Sequence, residues 1–224
     1  MGPNRREEED YLEITRQYLK KRSDTHIARK IWHFSGVLLI IVIYHNLSRS
    51  LSLQLITFFA SLFVLIDVMR AYSPKLNKVL LSLFHPIMRE HERSSLAGTS
   101  YLLVGTFLIV FLFPKSIVTL SLIFLAVADP VAGYVGALYG KDKIMGEKSL
   151  QGFMAAFACC SCLSALFFFI HNMMLDRLLI VSILSGLIGA FAELIPILKL
   201  DDNFTFPVVS SIGLWLLFYL FGGF

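Results

Sequence analysis

The sequence predicts an all-α protein that crosses a membrane about seven times. Of its 224 residues, 56% are hydrophobic and only 16% are charged, whereas a soluble domain of this length normally carries more charge. The apolar residues also form long runs instead of one-sided stripes, and a membrane-spanning helix needs about 20 apolar residues in succession. Together, composition and runs indicate a polytopic integral membrane protein with one compact helical domain.

The chain divides into two segments of different composition. Residues 1–28 are charged throughout and contain no apolar stretch of the kind found in a signal peptide. Within them, residues 5–22 have a sparse apolar side, which favours an amphipathic helix on the membrane surface, although a frayed, solvated helix explains the same pattern. Residues 29–224 hold the apolar runs and are predicted to form the transmembrane domain.

Seven apolar runs are long enough to be spans. They are residues 29–47, 52–71, 97–114, 116–139, 151–171, 178–198 and 205–222. A further segment, 76–88, is apolar on one face, but it is too short to span a bilayer and ends at His85-Pro86. We predict that this segment is an interfacial or re-entrant helix.

The basic residues predict the orientation of these spans. With the N-terminus in the cytoplasm, 17 of the 20 Lys and Arg residues fall in cytoplasmic segments, and Arg49, Lys115 and Arg177 are left on the other side. An excess of basic residues in cytoplasmic loops is typical of membrane proteins. The same orientation puts most of the unusual polar motifs on the cytoplasmic side, where nucleotides are found.

Asp129 is unusual because it lies inside the fourth run, where a charge costs several kcal/mol. One helical face carries four positions at i, i+3, i+7 and i+11, namely Asp129, Ala132, Gly136 and Gly140. Pro130 removes a backbone donor and is expected to break the helix there. A face of this kind lets a ligand approach the backbone beside a carboxylate. Small residues at this spacing are also typical of helix packing, so both interpretations stay open.

The loop after these glycines adds positive charge. Lys141 and Lys148 lie in it, and Ser149 opens the next helix. Cations and free amides at a helix N-terminus suit a polyphosphate, and the Asp129 carboxylate suits the divalent cation that a nucleoside triphosphate carries. The sequence contains neither a Walker A pattern nor a protein-kinase signature. The stretch therefore predicts a nucleotide site of another kind.

A second acidic group lies near the end of the sixth run. Glu193 is inside the run, and Asp201, Asp202 and Asn203 follow it in a row. Three oxygen-bearing side chains in succession suit a hard cation, but a solvated loop explains them equally well. A solvated loop is a weaker explanation for Glu193. This residue lies eight positions before Asp201, which corresponds to about 12 Å along a helix at the usual rise per residue.

Polar residues at the first and third runs complete the candidates. Arg29, Lys30 and His33 lie where the first run begins, and they either bind phosphates or anchor the helix at the interface. Glu92 precedes the third run, and Gly98 opens it. This glycine either packs against a neighbouring helix or makes room for an acyl chain.

Five blocks of the sequence carry a resemblance to a known family. They read RKIWH, SLAGTSYLLVG, ADPVAGYVGALYG, EKSLQG and DDNFTFPVVSS, in this order between Arg29 and about Ser211. With these blocks the chain resembles the CTP-dependent lipid kinases, which comprise diacylglycerol, dolichol and phytol kinases. The last block is most similar to the diacylglycerol kinase branch. The stretch DxxAxxxGxxxG followed by Lys-Ser is similar to the proposed CTP-binding signature of the family.

The resemblance implies transfer of the γ-phosphate of CTP to a lipid hydroxyl, with diacylglycerol becoming phosphatidate. It implies Mg²⁺ or another divalent cation, a lipid alcohol and the bilayer as partners without nucleic acid, and a cytoplasmic active site at the endoplasmic reticulum or a bacterial cytoplasmic membrane. Either Asp129 or Glu193 would orient or deprotonate the lipid hydroxyl. The expected sites are catalytic (Asp129, Lys148, Glu193), CTP-binding (Arg29, Lys30, His33, Ala132, Gly136, Gly140, Lys141, Lys148, Ser149), metal (Asp129, Asp201, Asp202, Asn203) and lipid (Glu92, Gly98).

Three alternatives remain beside this expectation. The first is a polyprenol/dolichol or phytol kinase, although dolichol kinases tend to have Glu where this chain has Gln151, which counts against dolichol as substrate. Phosphatidate cytidylyltransferases also use CTP, but they have a second Asp where this chain has Gly133, and this chain lacks their Pro-Gly-His-Gly-Gly signature. A transporter or scaffold with buried carboxylates is the third alternative, although the sequence shows no convincing internal repeat.

Overall fold

The computed structural model describes residues 27–84, 92, 95–195 and 200–224. In these residues nearly all regular structure is helical, with one short hairpin, so the all-α prediction is confirmed. The predicted surface helix at residues 5–22 lies outside the described part of the chain. The division at residue 28 therefore stays a prediction.

The regular elements follow one another with short connections. The helices are α1 (Ile27–Asn46), α2 (Arg49–Tyr72), α3 (Pro74–Phe84), α4 (Gly98–Leu112), α5 (Lys115–Ile123), α6 (Asp129–Tyr139), α7 (Leu150–Ile170), α8 (Leu178–Leu194) and α9 (Asp202–Phe221). A π-helical turn (Phe124–Ala128) joins α5 to α6, and a single 3₁₀ turn (Leu175–Arg177) precedes α8. The antiparallel hairpin of β1 (Lys143–Met145) and β2 (Lys148–Ser149) leads from α6 into α7.

The described helices are those of an integral membrane protein. Five are long and apolar enough to cross a bilayer, namely Arg49–Tyr72, Lys115–Tyr139, Leu150–Ile170, Leu175–Leu194 and Asp202–Phe221. Helix α4 is equally apolar but shorter, and α1 coincides with the first predicted span. Membrane spans are therefore confirmed, whereas the number seven is not.

Helix α3 corresponds to the segment predicted to lie at the interface. It has 11 residues, too few to cross a bilayer, and Leu81 is its one fully buried residue. Residues 85–91, which include the end of the predicted segment, are outside the described part. A short helix at this place is as predicted, and its position relative to the membrane stays a prediction.

Polar side chains cap two of the helices that begin near the site. The Ser149 hydroxyl accepts a hydrogen bond from the Gly152 amide at the start of α7, at 3.2 Å. The Asp201 carboxylate accepts one from the Asn203 amide at the start of α9, at 3.0 Å. The first amides of a helix have no partner within it, and Ser and Asp are among the residues that best satisfy them. These caps fix where the two helices begin.

The core surrounds the segment that leads into Asp129, namely α5 and the π turn. Helix α5 and the π turn contribute Ile117, Leu120, Leu122, Phe124 and Leu125, all with no exposed surface. Helices α1, α7 and α9 pack around this central segment. Asp129, which follows directly, is therefore held by the most buried part of the molecule.

The expected break at Pro130 does not occur. The chain passes from α5 into α6 through the π turn, in which the Asp129 amide donates to the Phe124 carbonyl five residues earlier. One extra residue in the turn accommodates the missing proline donor without ending the helix. The prediction of a break was wrong, because a π-helical turn replaces it.

Candidate functional site

A cavity of about 1090 Å³ opens among the helix ends that carry the predicted site residues. Its wall includes α1 from Arg29 to Ile43, α2 from Phe59 to Arg70, part of α3, the beginnings of α4, α7 and α9, the end of α8, helix α6 and the hairpin. The predicted site residues on the wall are Arg29, Lys30, His33, Glu92, Gly98, Asp129, Ala132, Gly136, Lys148, Ser149, Glu193, Asp202 and Asn203. Residues far apart in sequence are thus brought into one space.

Lys148 is the centre of the charged part of this cavity. Its ammonium donates a hydrogen bond to the Glu193 carboxylate and lies 3.9 Å from an oxygen of Asp202. The Lys148 side chain is 30% exposed, whereas those of Glu193 and Asp202 are 4% and 17% exposed. The hairpin, α8 and α9 therefore meet through one cation and two carboxylates.

The electrostatic surroundings keep Lys148 protonated. Burial alone would lower the pKa of its ammonium, but three nearby carboxylates outweigh burial and raise that pKa above its usual value. The three carboxylates are those of Glu193, Asp202 and Asp129, in decreasing order of effect. Lys148 therefore presents a full positive charge to the cavity at neutral pH.

Helix α1 contacts the backbone on both sides of Asp129. His33 Nε2 lies 3.1 Å from the Leu125 carbonyl oxygen, and Lys30 Nζ lies 3.4 Å from the Pro130 carbonyl oxygen. The Lys30 ammonium also stands 5.0 Å from the centre of the Tyr134 ring. Two of the three residues predicted to bind phosphates at the start of α1 thus have partners within the protein.

The glycines of the fourth run serve helix packing as well as the cavity. A methyl group on Gly140 would lie 2.8 Å from the Ser149 Cβ atom, and one on Gly136 would lie 3.2 Å from the Ser149 hydroxyl. A side chain on Gly140 would also clash with the Gly136 carbonyl oxygen, so the end of α6 can lie this close to Ser149 only with glycine at position 140. Gly136 also lines the cavity, whereas Gly140 and the exposed Lys141 do not belong to its described wall. The packing interpretation therefore accounts for Gly140.

The acidic group at the start of α9 divides between two environments. Asp201 is buried and caps the helix, whereas Asp202 and Asn203 lie on the cavity wall. The Asn203 amide group donates to the Gly98 carbonyl at 3.2 Å, and the Gly98 amide donates to the Glu92 carboxylate at 3.3 Å. The predicted lipid residues are thus in contact with the second acidic group.

In the described part of the chain, no three His, Cys, Asp or Glu side chains come close enough together to hold a metal ion. The described residues therefore contain no ready-made cluster of three such side chains. Mg²⁺ usually needs just one or two carboxylates when phosphates supply its other ligands. Metal binding by Asp129, Asp201, Asp202 and Asn203 stays a prediction.

Sequence reasoning missed a buried ion pair at the end of α2. Arg70 Nε lies 2.7 Å from an oxygen of Asp67, and both side chains are at most 7% exposed. The second Asp67 oxygen accepts hydrogen bonds from the Ala97 amide at 2.8 Å and the Ser100 hydroxyl at 2.6 Å. Asp67 and Arg70 also line the cavity. The signal was visible, since Asp67 is a carboxylate inside an apolar run just as Asp129 is.

The architecture defines the class of the protein. It is a helical membrane protein whose buried cations and carboxylates line one large cavity with an apolar portion. Charged residues inside a membrane domain usually mark a functional site, either of an enzyme or of a transporter. The sequence relatives make this class more specific.

Curated relatives identify the family. The chain is 32% identical to the CTP-dependent diacylglycerol kinase 1 of Schizosaccharomyces pombe in an alignment 161 positions long, gaps included, which covers 67% of this chain and 74% of that protein. It is 29% identical to the CTP-dependent diacylglycerol kinase 1 of Eremothecium gossypii in an alignment 230 positions long, gaps included, which covers 90% of this chain and 72% of that protein. An uncharacterized protein of Rickettsia prowazekii is 27% identical over 191 residues, with 83% of this chain and 91% of that protein covered.

The chain belongs to the CTP-dependent diacylglycerol kinase family. The resemblance found in the sequence is thereby confirmed. No protein-family model matches the chain, and no solved structure matches it.

Proposed function

We propose that the protein transfers the γ-phosphate of CTP to the hydroxyl group of diacylglycerol, which yields phosphatidate and CDP. One observation carries this proposal, namely that a charged region and an apolar region share a single cavity. The charged region holds Lys148, Glu193, Asp202 and Asp129. The apolar region is lined by Leu39, Ile40, Ile43, Phe59, Phe63, Ile66, Leu80, Phe84, Leu102 and Leu103.

The two regions fit the two substrates. A nucleoside triphosphate needs cations around its phosphates, and an acyl chain needs an apolar surface that connects with the bilayer. Helices α1 and α2 supply most of the apolar wall, with α3 and α4 completing it. The lipid would enter sideways from the membrane, with its hydroxyl group pointing toward Asp129 and Lys148.

The reaction makes one bond and breaks one. The lipid hydroxyl oxygen bonds to the γ-phosphorus, the bond from that phosphorus to the β–γ bridging oxygen breaks, and CDP leaves with the electron pair. The hydroxyl proton passes to a base, for which the Asp129 and Glu193 carboxylates are the candidates. Such a transfer depends mainly on positioning and on neutralising phosphate charge.

Lys148 is the residue we assign to the transferred phosphoryl group. Its ammonium is charged and is held by Glu193, so its position is fixed before CTP binds. Arg29 and Lys30 at the start of α1 line the same cavity and would bind the remaining phosphates. Gly136 and Ala132 lie on the same wall, and we assign these small residues to close contact with the nucleotide.

A divalent cation fits the same region. Asp129 and Asp202 are two carboxylates on the wall beside Lys148, and their hard oxygen atoms suit Mg²⁺. Bound there with CTP, Mg²⁺ would neutralise charge on the β- and γ-phosphates. Asp201 is engaged as a helix cap, which leaves Asp129 and Asp202 as the principal ligands of the proposal.

The proposal is tested with purified protein in mixed micelles and CTP labelled at either the γ- or the α-phosphate. We expect γ-label, and no α-label, to enter the lipid phase with diacylglycerol, because a kinase transfers only the terminal phosphate. Asp129→Asn should reduce this transfer at least about 100-fold. The matched variant Asp176→Asn, which alters an exposed carboxylate paired with Arg177, should retain wild-type activity.

Each other result points to a different function. Label from the γ-position in dolichol or phytol, but not in diacylglycerol, would assign the chain another lipid alcohol. Label from the α-position with phosphatidate would make it a cytidylyltransferase. If no lipid accepted either label, the transporter or scaffold alternative would replace the kinase.

A further inference from the structure

The carbonyl group of Leu125 lacks a partner within its own helix. In an α-helix it would accept from the amide of residue 129, but the Asp129 amide is bonded to the Phe124 carbonyl. In the π-helical pattern it would accept from residue 130, which is proline and has no N–H group. Leu125 has no exposed surface, and a buried carbonyl without a donor destabilises the folded state.

His33 supplies the missing donor from another helix. Its Nε2 atom lies 3.1 Å from the Leu125 oxygen, within ordinary hydrogen-bond distance. A carbonyl oxygen only accepts hydrogen bonds, so Nε2 carries the proton in this contact. The interaction joins α1 to the π turn across 92 residues of sequence.

The position of this contact relative to Asp129 gives it a function. Lys30 and His33 are three residues apart on α1 and so share one face. They contact the carbonyls of Pro130 and Leu125, which lie on either side of Asp129. A π-helical turn changes the direction of every side chain that follows it. Whatever keeps this turn in place also sets the direction of the Asp129 carboxylate.

We propose that His33 is a positioning residue, which holds the π turn through the Leu125 carbonyl and thereby aims Asp129 into the cavity. This role rests on the proposed function of Asp129. It differs from the role that the sequence predicted for His33, which was direct binding of CTP. The two roles have different kinetic consequences.

The test compares two substitutions of His33 with a control on the same helix. His33→Leu removes the donor, and we expect kcat to fall between about 10- and 100-fold, because small displacements at a reacting group have effects of this size. The KM for CTP should stay within about twofold, since no contact to CTP is lost. His33→Gln keeps an N–H donor near the same place and should restore most of kcat. His45→Leu, at the exposed far end of α1, should behave as wild type.

Hydrogen–deuterium exchange provides a readout that does not depend on activity. Loss of the contact should loosen the turn, so peptides that cover residues 124–133 should exchange at least about tenfold faster in His33→Leu than in wild type. In His33→Gln and His45→Leu, exchange should match that of wild type. If wild type transferred no phosphate to any lipid, the proposed function would fail while this comparison still tested the contact.

Several results would overturn the positioning role. A raised KM for CTP with unchanged kcat in His33→Leu would assign His33 to the nucleotide. Equal loss of kcat in the Leu and Gln variants would show that the N–H donor is not what matters. Unchanged exchange over residues 124–133 in His33→Leu would show that the contact does not hold the turn.

Discussion

Lys148 illustrates how the site depends on individual charges. One ammonium group faces the carboxylates of Glu193, Asp202 and Asp129, and the shared charge holds the hairpin, α8 and the start of α9 together. A triphosphate entering the cavity would compete with these carboxylates for the same cation. Mg²⁺ bound to Asp129 and Asp202 would reduce that competition, because it neutralises the carboxylates that CTP would otherwise meet.

The charge state of Lys148 gives a prediction about pH. Its pKa is raised above the usual 10.5, so the ammonium keeps its charge up to about pH 10 and loses it only as pH rises through the raised pKa. Lys148→Arg carries a cation that stays protonated throughout. We expect the ratio of kcat/KM for CTP between wild type and this variant to stay constant from about pH 7 to 9.5. If kcat/KM of the wild type fell relative to that of Lys148→Arg as pH rises, Lys148 would be losing its proton in this range, contrary to the raised pKa.

At the scale of elements, the buried pair of Asp67 and Arg70 joins α2 to the start of α4. Asp67 binds Ala97 and Ser100, while the Arg70 guanidinium donates to the carbonyls of Glu92 and Ser95, at 2.8 and 2.6 Å. These bonds fix the chain that leads into Gly98. The pair thus supports the wall of the cavity on which Glu92 and Gly98 lie.

Breaking this pair should destabilise the protein strongly. Asp67→Asn leaves Arg70 as an uncompensated buried charge, which typically costs ~3–5 kcal/mol. The thermal midpoint in detergent should fall clearly below that of wild type. Asp176→Asn breaks an ion pair whose side chains are 53% and 72% exposed, and such pairs contribute about 0–1 kcal/mol. Equal midpoints for the two variants would contradict the structural role of Asp67.

The elements also show what the sequence could predict. The run predicted at 205–222 corresponds to the helix Asp202–Phe221, and the run predicted at 52–71 corresponds to the helix Arg49–Tyr72. The agreement is close because an apolar stretch of about 20 residues locates a span well. The start of α9 lies earlier than predicted, since its polar first turn is helical behind the Asp201 cap. The π turn was missed because its stability involves His33, which is 92 residues away.

The same reasoning applies to the site. Asp129, Lys148, Glu193 and Asp202 were identified individually, since each is a charged residue in or beside an apolar run, and the structure brings them together. Their pairing was not predictable, because Lys148 and Glu193 are 45 residues apart and no local pattern links them. Asp67, like Asp129, is a carboxylate inside an apolar run, but it was not among the predicted site residues. A carboxylate inside an apolar run therefore indicates the cavity wall at both positions.

At the scale of the whole molecule, the helix ends that line the charged part of the cavity lie on one side of the helical domain. The beginnings of α1, α4 and α9 meet the ends of α2 and α8 there, as expected when successive spans alternate in direction. The brief connections, such as Phe113–Pro114 between α4 and α5, join the opposite ends. This arrangement agrees with the predicted grouping of polar segments on one side, and we propose that this side is cytoplasmic, where CTP is available.

The orientation can be tested by labelling single cysteines. In a parent chain in which Cys159, Cys160 and Cys162 are replaced by Ala, Ile144→Cys marks the hairpin beside the cavity and Asp176→Cys marks the opposite connection. Both positions are exposed, with Ile144 at 48% and the Asp176 side chain at 72%. In sealed vesicles whose outer surface is the non-cytoplasmic face of the membrane, we expect a membrane-impermeant maleimide to label Asp176→Cys, and Ile144→Cys only after permeabilisation. The basic hairpin would then face the cytoplasm, as the distribution of Lys and Arg predicts.

Two other results would contradict this orientation. Labelling of both variants before permeabilisation would contradict the alternation of spans. Labelling of Ile144→Cys alone would reverse the orientation and separate the cavity from cytoplasmic CTP.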